Sequence, residues 1–257
     1  MAQIRVEVAQ GVRRVTLDRP DQLNAITTQM HAELEAAFNA FAAAENEHLC
    51  LITGAGRAFC AGTDLKEAAA GGNRAYPAHG YAGLIERFDC PKPFVALVNG
   101  LALGGGFELA LACDLIIAAE SASFGLPEPL VGAVALGGGL HRLVRQAPLK
   151  QAMGMILAAR RVSAAEGFAM GFVTEVVPDD ALERAAERWC RDMLRGSPVS
   201  LRASKAIIQA GLAERDVDAA MRAQPDMPAF KAWRASDDAR EGPRAFAEKR
   251  APLWTGR

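Results

Sequence analysis

A chain of 257 residues, 51% hydrophobic and 23% charged, has the composition of an ordinary globular protein and the length to bury a sizeable core. Its formal net charge of -1, with both signs scattered along the chain, excludes a basic nucleic-acid face and a polyanionic tail, so any phosphate recognition must be local. Five cysteines (Cys50, Cys60, Cys90, Cys113, Cys190), odd in number and nowhere in C-x-x-C, speak against a disulfide framework or a zinc site and for a reducing compartment.

The opening residues alternate apolar and polar like a strand, not like a targeting segment, and no uncharged run reaches the roughly 18 apolar residues of a membrane span. A cytoplasmic protein with no membrane partner is the expectation. Ile4, Val6 and Val8, then Val12, Val15 and Leu17, flank Gln10-Gly11, which predicts a hairpin. From Thr28 onward Met30, Leu34, Phe38 and Phe41 recur at helical spacing. Leu49 to Thr53 is a short apolar run that empties into Gly54-Ala55-Gly56, and Phe94 to Asn99 and Leu115 to Ala119 read as two further buried strands. Between them Ala68 to Gly83, with Asn73 and Pro77, has the composition of a mobile surface segment. Strands alternating with helices imply parallel crossovers and an α/β class.

Ser163 and Glu166 have capping-box spacing, Gly171 falls where that helix would end, and Phe172 to Val177 reads as a strand. Beyond Pro178 the chain is mostly helical, with expected breaks at Gly196-Ser197-Pro198, Pro225, Pro228 and Gly242-Pro243. Such pieces have too little apolar surface to enclose a core, so they must pack on the main domain or on a neighbouring subunit. The chain is therefore divided into a core domain, residues 1–195, and a helical region, residues 196–257.

The segment Asn99-Gly100-Leu101-Ala102-Leu103-Gly104-Gly105-Gly106-Phe107-Glu108 places three consecutive glycines between a buried strand and an apolar helix. That arrangement admits a ligand close to the main chain and leaves the first helical N–H groups unshielded, where an oxygen that turns negative would be stabilised. The plainer alternative is that the glycines only let strand and helix pack tightly. A second glycine-bearing loop, Gly54 to Glu67, also follows a predicted strand, and the two could meet at one sheet edge. Neither loop fits G-x-G-x-x-G or a P-loop, which disfavours nucleotide-dependent redox and phosphoryl transfer. Glu108 sits in an apolar stretch and Glu128 between Pro127 and Pro129, both expensive settings for unpaired charge, although either one alone is more easily read as a helix-dipole partner.

These segments, with Ala61-Gly62-Thr63-Asp64-Leu65-Lys66-Glu67 and Phe124 to Glu128 in this order and spacing, resemble the enoyl-CoA hydratase/isomerase (crotonase) family. The resemblance runs from Asn24-Ala25 to Ala245-Phe246-Ala247-Glu248-Lys249-Arg250 and within the family looks nearest to carnitinyl-CoA dehydratases. It implies a spiral of β-β-α repeats with a C-terminal helical trimerisation region, and homotrimers often paired into hexamers. By position it assigns the N–H groups of Thr63 and Gly105 to an oxyanion hole and Glu108 and Glu128 to catalysis. Asn24, Ala25, Ala61, Asp64, Leu65 and Lys66 would hold coenzyme A, with Phe246 and Lys249 reaching coenzyme A on a neighbouring subunit. The implied activity is addition or removal of water across the 2,3 double bond of an acyl-CoA thioester, crotonobetainyl-CoA/carnitinyl-CoA being one candidate, with no metal and no cofactor beyond the coenzyme A of the substrate.

Two departures stand out: Thr63 replaces a common alanine, its hydroxyl able to narrow the acyl pocket, and Leu136-Gly137-Gly138-Gly139-Leu140-His141 replaces a Pro-Gly-rich stretch. A helix-start histidine such as His141 is more often structural than substrate-touching. The rivals are an enoyl-CoA isomerase, which needs one carboxylate, and a non-catalytic acyl-CoA- or RNA-binding scaffold of the same fold. Two tyrosines and a balanced charge supply no RNA-binding stripe.

Overall fold

The computed structural model of the chain describes residues 2–71 and 76–257. Strands β1 (Ile4–Ala9) and β2 (Val12–Leu17) pair antiparallel through a two-residue turn. Gln10 (φ 50°) and Gly11 (φ 79°) are both left-handed there, the turn whose twist matches that of the strands. Helix α1 (Thr28–Ala43) begins where the Thr27 hydroxyl accepts from the Met30 N–H, and it buries Met30, Leu34, Phe38 and Phe41 on one face.

The chain then advances in strand pairs. β3 (Leu49–Gly54) and β4 (Ala58–Cys60) precede α2 (Leu65–Ala69), and β5 (Phe94–Val98) and β6 (Leu101–Leu103) precede α3 (Gly105–Ala112). β7 (Leu115–Ala119) and β8 (Ser123–Gly125) precede a 3-10 turn, Glu128–Val131, and α4 (Gly139–Gln146). α5 (Leu149–Leu157), β9 (Val162–Ser163), α6 (Ala164–Met170), β10 (Glu175–Val177) and α7 (Leu182–Leu194) follow. The first strand of each pair joins a six-stranded sheet of order β1-β2-β3-β5-β7-β10, and the second joins a four-stranded sheet of order β4-β6-β8-β9. From β2 onward the six-stranded sheet is parallel, and β3 and β5 are buried along their whole length, as a sheet covered on both faces requires. This is the mixed α/β, spiral-of-repeats architecture anticipated from the sequence.

The chain forms two compact units, Met1–Arg87 with Phe94–Glu187, and Phe88–Pro93 with Arg188–Arg257. In the second, α8 (Pro198–Gly211), α9 (Val217–Ala223), α10 (Pro228–Ala235) and α11 (Asp237–Ala247) pack on one another. Buried Asp238 ties them, accepting from the Ser197 hydroxyl and the Thr255 N–H, each at 2.7 Å. None of the helices is long and apolar enough to cross a membrane, among the described residues.

Three local expectations fail. Helix α11 runs through Gly242-Pro243 instead of breaking, because Asp238 anchors its first turn and Glu241 is held by Arg250 and the Leu253 N–H, ties that outweigh one missing helical hydrogen bond. The strand expected over Phe172 to Val177 shrinks to β10, since the Val173 N–H returns to Gly167 O and keeps 172–173 in the helix cap. The stretch Ala68 to Gly83 is not a surface segment throughout. Asn73 lies outside the described residues, but Tyr81, Ala82 and Gly83 form a buried 3-10 turn against α1.

Candidate active site

Strands β4, β6 and β8 run parallel and adjacent, so the segments that leave their C-terminal ends are brought side by side. Gly62-Thr63-Asp64 follows β4, Gly104 and α3 follow β6, and Leu126 to Glu128 follow β8. The first two touch: a Cβ on Gly62 would lie 2.8 Å from Leu103 O and 3.2 Å from Gly105 N. Gly104 caps α3 at φ 53°, ψ -129°, a conformation closed to residues with a Cβ.

The orientation of Thr63 follows from its neighbours. Gly62 O accepts from the Ile26 N–H at 2.8 Å and the Asp64 N–H donates to Ile26 O at 3.0 Å, so the trans peptide between 62 and 63 turns the Thr63 N–H away from Ile26. Gly105 is the first residue of α3, whose N–H has no intrahelical acceptor. Neither N–H donates to another group among the described residues. Two unspent donors at the meeting of two loops can hold an oxygen that acquires negative charge.

Glu108 and Glu128 meet beside them. Glu108, one turn into α3, is only 3% exposed, and its Oε1 accepts from the Gly139 N–H at 2.9 Å. Its carboxylate also faces Gly137, where a Cβ would lie 2.3 Å from Oε2. Burial pushes its pKa up to about 7, the nearby charge of Glu128 adds to the rise, and the Gly139 and Gly137 N–H groups and Arg142 oppose it. Glu128 approaches the start of the same helix: a Cβ on Gly104 would lie 3.0 Å from its Oε1. Its Oε2 is buried with no hydrogen-bond partner, and burial raises its pKa as well. Two carboxyl groups so placed can hold one proton between them near neutral pH, one acting as acid and the other as base.

The residues expected around coenzyme A fall into two groups. Asn24 is fully buried with its side chain committed: it donates to Ala55 O (2.9 Å) and Ala58 O (2.8 Å) and accepts from the Arg19 N–H (2.9 Å). Asp64 caps α2 and pairs with Arg19 at 3.0 Å, and the same Arg19 donates to Ala25 O. Ala61 is half-buried, its N–H bound to Leu23 O, whereas Leu65 and Lys66 are exposed at the start of α2. Phe246 and Lys249 belong to the second unit and are exposed there. His141 is exposed on α4.

Three participants escaped the sequence reading. The glycine run at 137–139, just ahead of His141, cradles Glu108 with the N–H groups of Gly137 and Gly139; glycines ahead of a helix are the available signal. Arg142, one turn further, faces Glu108 electrostatically and donates to Ile85 O at 2.5 Å. Tyr81, buried, reaches Thr63 with its hydroxyl at 3.3 Å. No cluster of three or more His, Cys, Asp or Glu suited to a metal ion occurs among the described residues. A cavity of about 410 Å³ lies elsewhere in the first unit, lined by Lys150, Met155, Arg160 and Met170, and none of these is a candidate residue.

The sequence profile described as Enoyl-CoA hydratase/isomerase matches residues 7–257. The chain is 40% identical over 251 residues to a carnitinyl-CoA dehydratase of Salmonella typhi, covering 96% of this chain and 95% of that one. The crystal structure of an enoyl-CoA hydratase from Mycobacterium marinum superposes with a TM-score of 0.93 at 36% identity, covering 99% of each chain. That of an enoyl-CoA hydratase from Bacillus anthracis does so with a TM-score of 0.90 at 35% identity over 100% of each. With a profile spanning nearly every residue and a fold shared end to end, the chain belongs to the enoyl-CoA hydratase/isomerase family.

Proposed function

We propose that Glu108 and Glu128 add water to, or remove it from, the 2,3 double bond of an acyl-CoA thioester whose carbonyl is held by the N–H groups of Thr63 and Gly105. The observation that carries this reading is the approach of Glu128, its Oε2 buried and unpartnered, to Gly104 and within electrostatic reach of buried Glu108, beside two unspent N–H donors. Polarisation of the thioester carbonyl makes C3 electrophilic. One carboxylate takes a proton from water as its oxygen bonds to C3, and the electron pair of the double bond moves toward the thioester oxygen. The two N–H groups stabilise that enolate, and the other, protonated carboxyl delivers a proton to C2. The sum is addition of H and OH with no change of oxidation state, so no cofactor beyond the coenzyme A of the substrate is needed. Dehydration is the same path reversed.

Leu65 and Lys66 are accessible for coenzyme A, Ala25 and Ala61 would line the same loops, and Asn24 and Asp64 would act by holding those loops in shape. Phe246 and Lys249 are assigned to coenzyme A on a neighbouring subunit of a homotrimer or trimer-based hexamer. A cytoplasmic location rests on the odd number and scattered spacing of the cysteines. The name of the Salmonella typhi relative makes carnitinyl-CoA and crotonobetainyl-CoA the first polar pair to try.

The test is a panel of enoyl-CoA thioesters followed by loss of the conjugated thioester absorbance, with Glu108→Gln and Glu128→Gln alongside. Hydration should fall by at least about 100-fold in each variant while acyl-CoA binding persists. Full activity in either variant removes that residue from the mechanism, and double-bond migration without hydration reassigns the protein as an isomerase.

A further inference from the structure

We propose that Tyr81 is a positioning residue of the thioester-polarising site: its hydroxyl, through Thr63 Oγ1, and its ring, against Gly105, hold the two N–H donors at a fixed separation. The inference rests on the reading of Thr63 and Gly105 as the donors.

Tyr81 is 3% exposed, and its hydroxyl lies 3.3 Å from Thr63 Oγ1. A Cβ on Gly105 would lie 2.3 Å from its Cζ and 2.4 Å from its hydroxyl oxygen, so the end of the phenol occupies the space a side chain at 105 would take. The ring therefore abuts one donor residue while its hydroxyl tethers the other. Tethering Oγ1 limits rotation of Thr63 about its Cα, and with it the direction of the peptide N–H. A phenol serving only to fill the core would need no hydroxyl. Here the buried oxygen takes its hydrogen bond from the one side chain that shares a residue with a proposed donor.

The backbone around Tyr81 shows that its placement is over-determined. Gly80, Ala82 and Gly83 have φ of 73°, 55° and 64°, and for Ala82 the left-handed region is one that L-residues rarely enter. The Ala82 N–H donates to His31 Nδ1 at 2.9 Å, and the His31 ring stands edge-on to the Tyr81 ring at 4.6 Å. Gly83 O accepts from Arg87 Nε at 2.9 Å, and Arg87 is anchored in turn on Asn39 Oδ1 at 2.8 Å. Strain of this kind persists only where surrounding structure enforces it, and here α1 supplies His31 and Asn39 for the purpose.

The experiment compares wild type, Tyr81→Phe, Thr63→Val, the double variant and Thr63→Ser. It uses crotonyl-CoA turnover and the absorption of bound trans-cinnamoyl-CoA, which moves to longer wavelength as its thioester carbonyl is polarised. Tyr81→Phe should lower kcat about five- to tenfold, the worth of one hydrogen bond, with KM changed less than about twofold and a smaller red shift. Thr63→Val should match it, the double variant should be no worse than either single one, and Thr63→Ser, which keeps the hydroxyl, should recover part of the red shift that Thr63→Val loses. Unchanged kcat and red shift in Tyr81→Phe, or additive losses in the double variant, would overturn the inference alone. A wild type that shows no red shift on binding would overturn the oxyanion reading and this inference together.

Discussion

Glu108→Gln should flatten the dependence of stability on pH. The Glu108 carboxyl is buried, and its pKa rises from 4.5 to about 7 on folding. The folded chain therefore holds more protons than the unfolded chain between those values. The stabilising contribution of the protonated carboxyl is fully present below about pH 4.5 and is lost as the pH climbs through about 7. A difference of about two and a half pH units, at about 1.36 kcal/mol each, amounts to about 3 kcal/mol, most of it spent between pH 5 and 8. Glutamine cannot ionise, so the variant escapes this loss, while the rise that burial imposes on Glu128 is common to both proteins. Urea denaturation of both proteins at a series of pH values from 5 to 8, at one fixed protein concentration, measures the effect directly. The variant should gain about 2 kcal/mol on the wild type from the acid to the alkaline end. Parallel curves would mean that Glu108 ionises in the folded protein as readily as in water, and the shared-proton reading of the pair would fall.

The same titration should appear in the kinetics: kcat/KM for hydration should decline above about pH 7 as the pair loses its proton, and a profile flat from pH 6 to 9 would contradict this. Gly137→Ala and Gly106→Ala should separate chemistry from stability. At 137 the new Cβ would meet the movable Glu108 Oε2 at 2.3 Å, so kcat should fall at least about tenfold with stability nearly kept. At 106 it would meet the backbone Cys60 O at 2.2 Å, so chemical denaturation should show a loss of about 1–3 kcal/mol. Asn24→Ala strips the hydrogen bonds to Ala55 O, Ala58 O and the Arg19 N–H and puts alanine at φ 57°, which should cost about 3 kcal/mol in the same assay.

What the residues disclosed in advance was what depends on near neighbours in sequence. The Gln10-Gly11 hairpin, the apolar stripe of α1 and the capping box at Ser163 are set by a few adjacent side chains, and all three appear as expected. The triple glycine ahead of Glu108 marked a helix start for the same reason. The approach of Glu128 to Gly104 was out of reach of any local pattern, since it depends on β6 and β8 being neighbours; only a family resemblance joined the two acids. Tyr81 was misjudged because composition around it suggests a loop, whereas burial and the left-handed Ala82 arise from contacts with α1, far away in the chain. Pro243 misled in the opposite sense: the residue argues for a break, and long-range ties of Asp238 and Glu241 carry the helix across it.

The four-stranded sheet acts as a ruler. β4, β6 and β8 have three residues each, and each delivers one part of the proposed site at its end: a peptide N–H, a helix start with one acid, and a second acid. The spacing of those parts is fixed by hydrogen bonds between adjacent strands, about 4.8 Å from one to the next, and not by the length of chain between them. Insertions between residues 65 and 76, which spare Tyr81, or between 129 and 136, would therefore reshape the walls around the proposed site without altering the spacing of its acids and N–H donors. On such a frame, substrate range can drift while the reacting centre stays put.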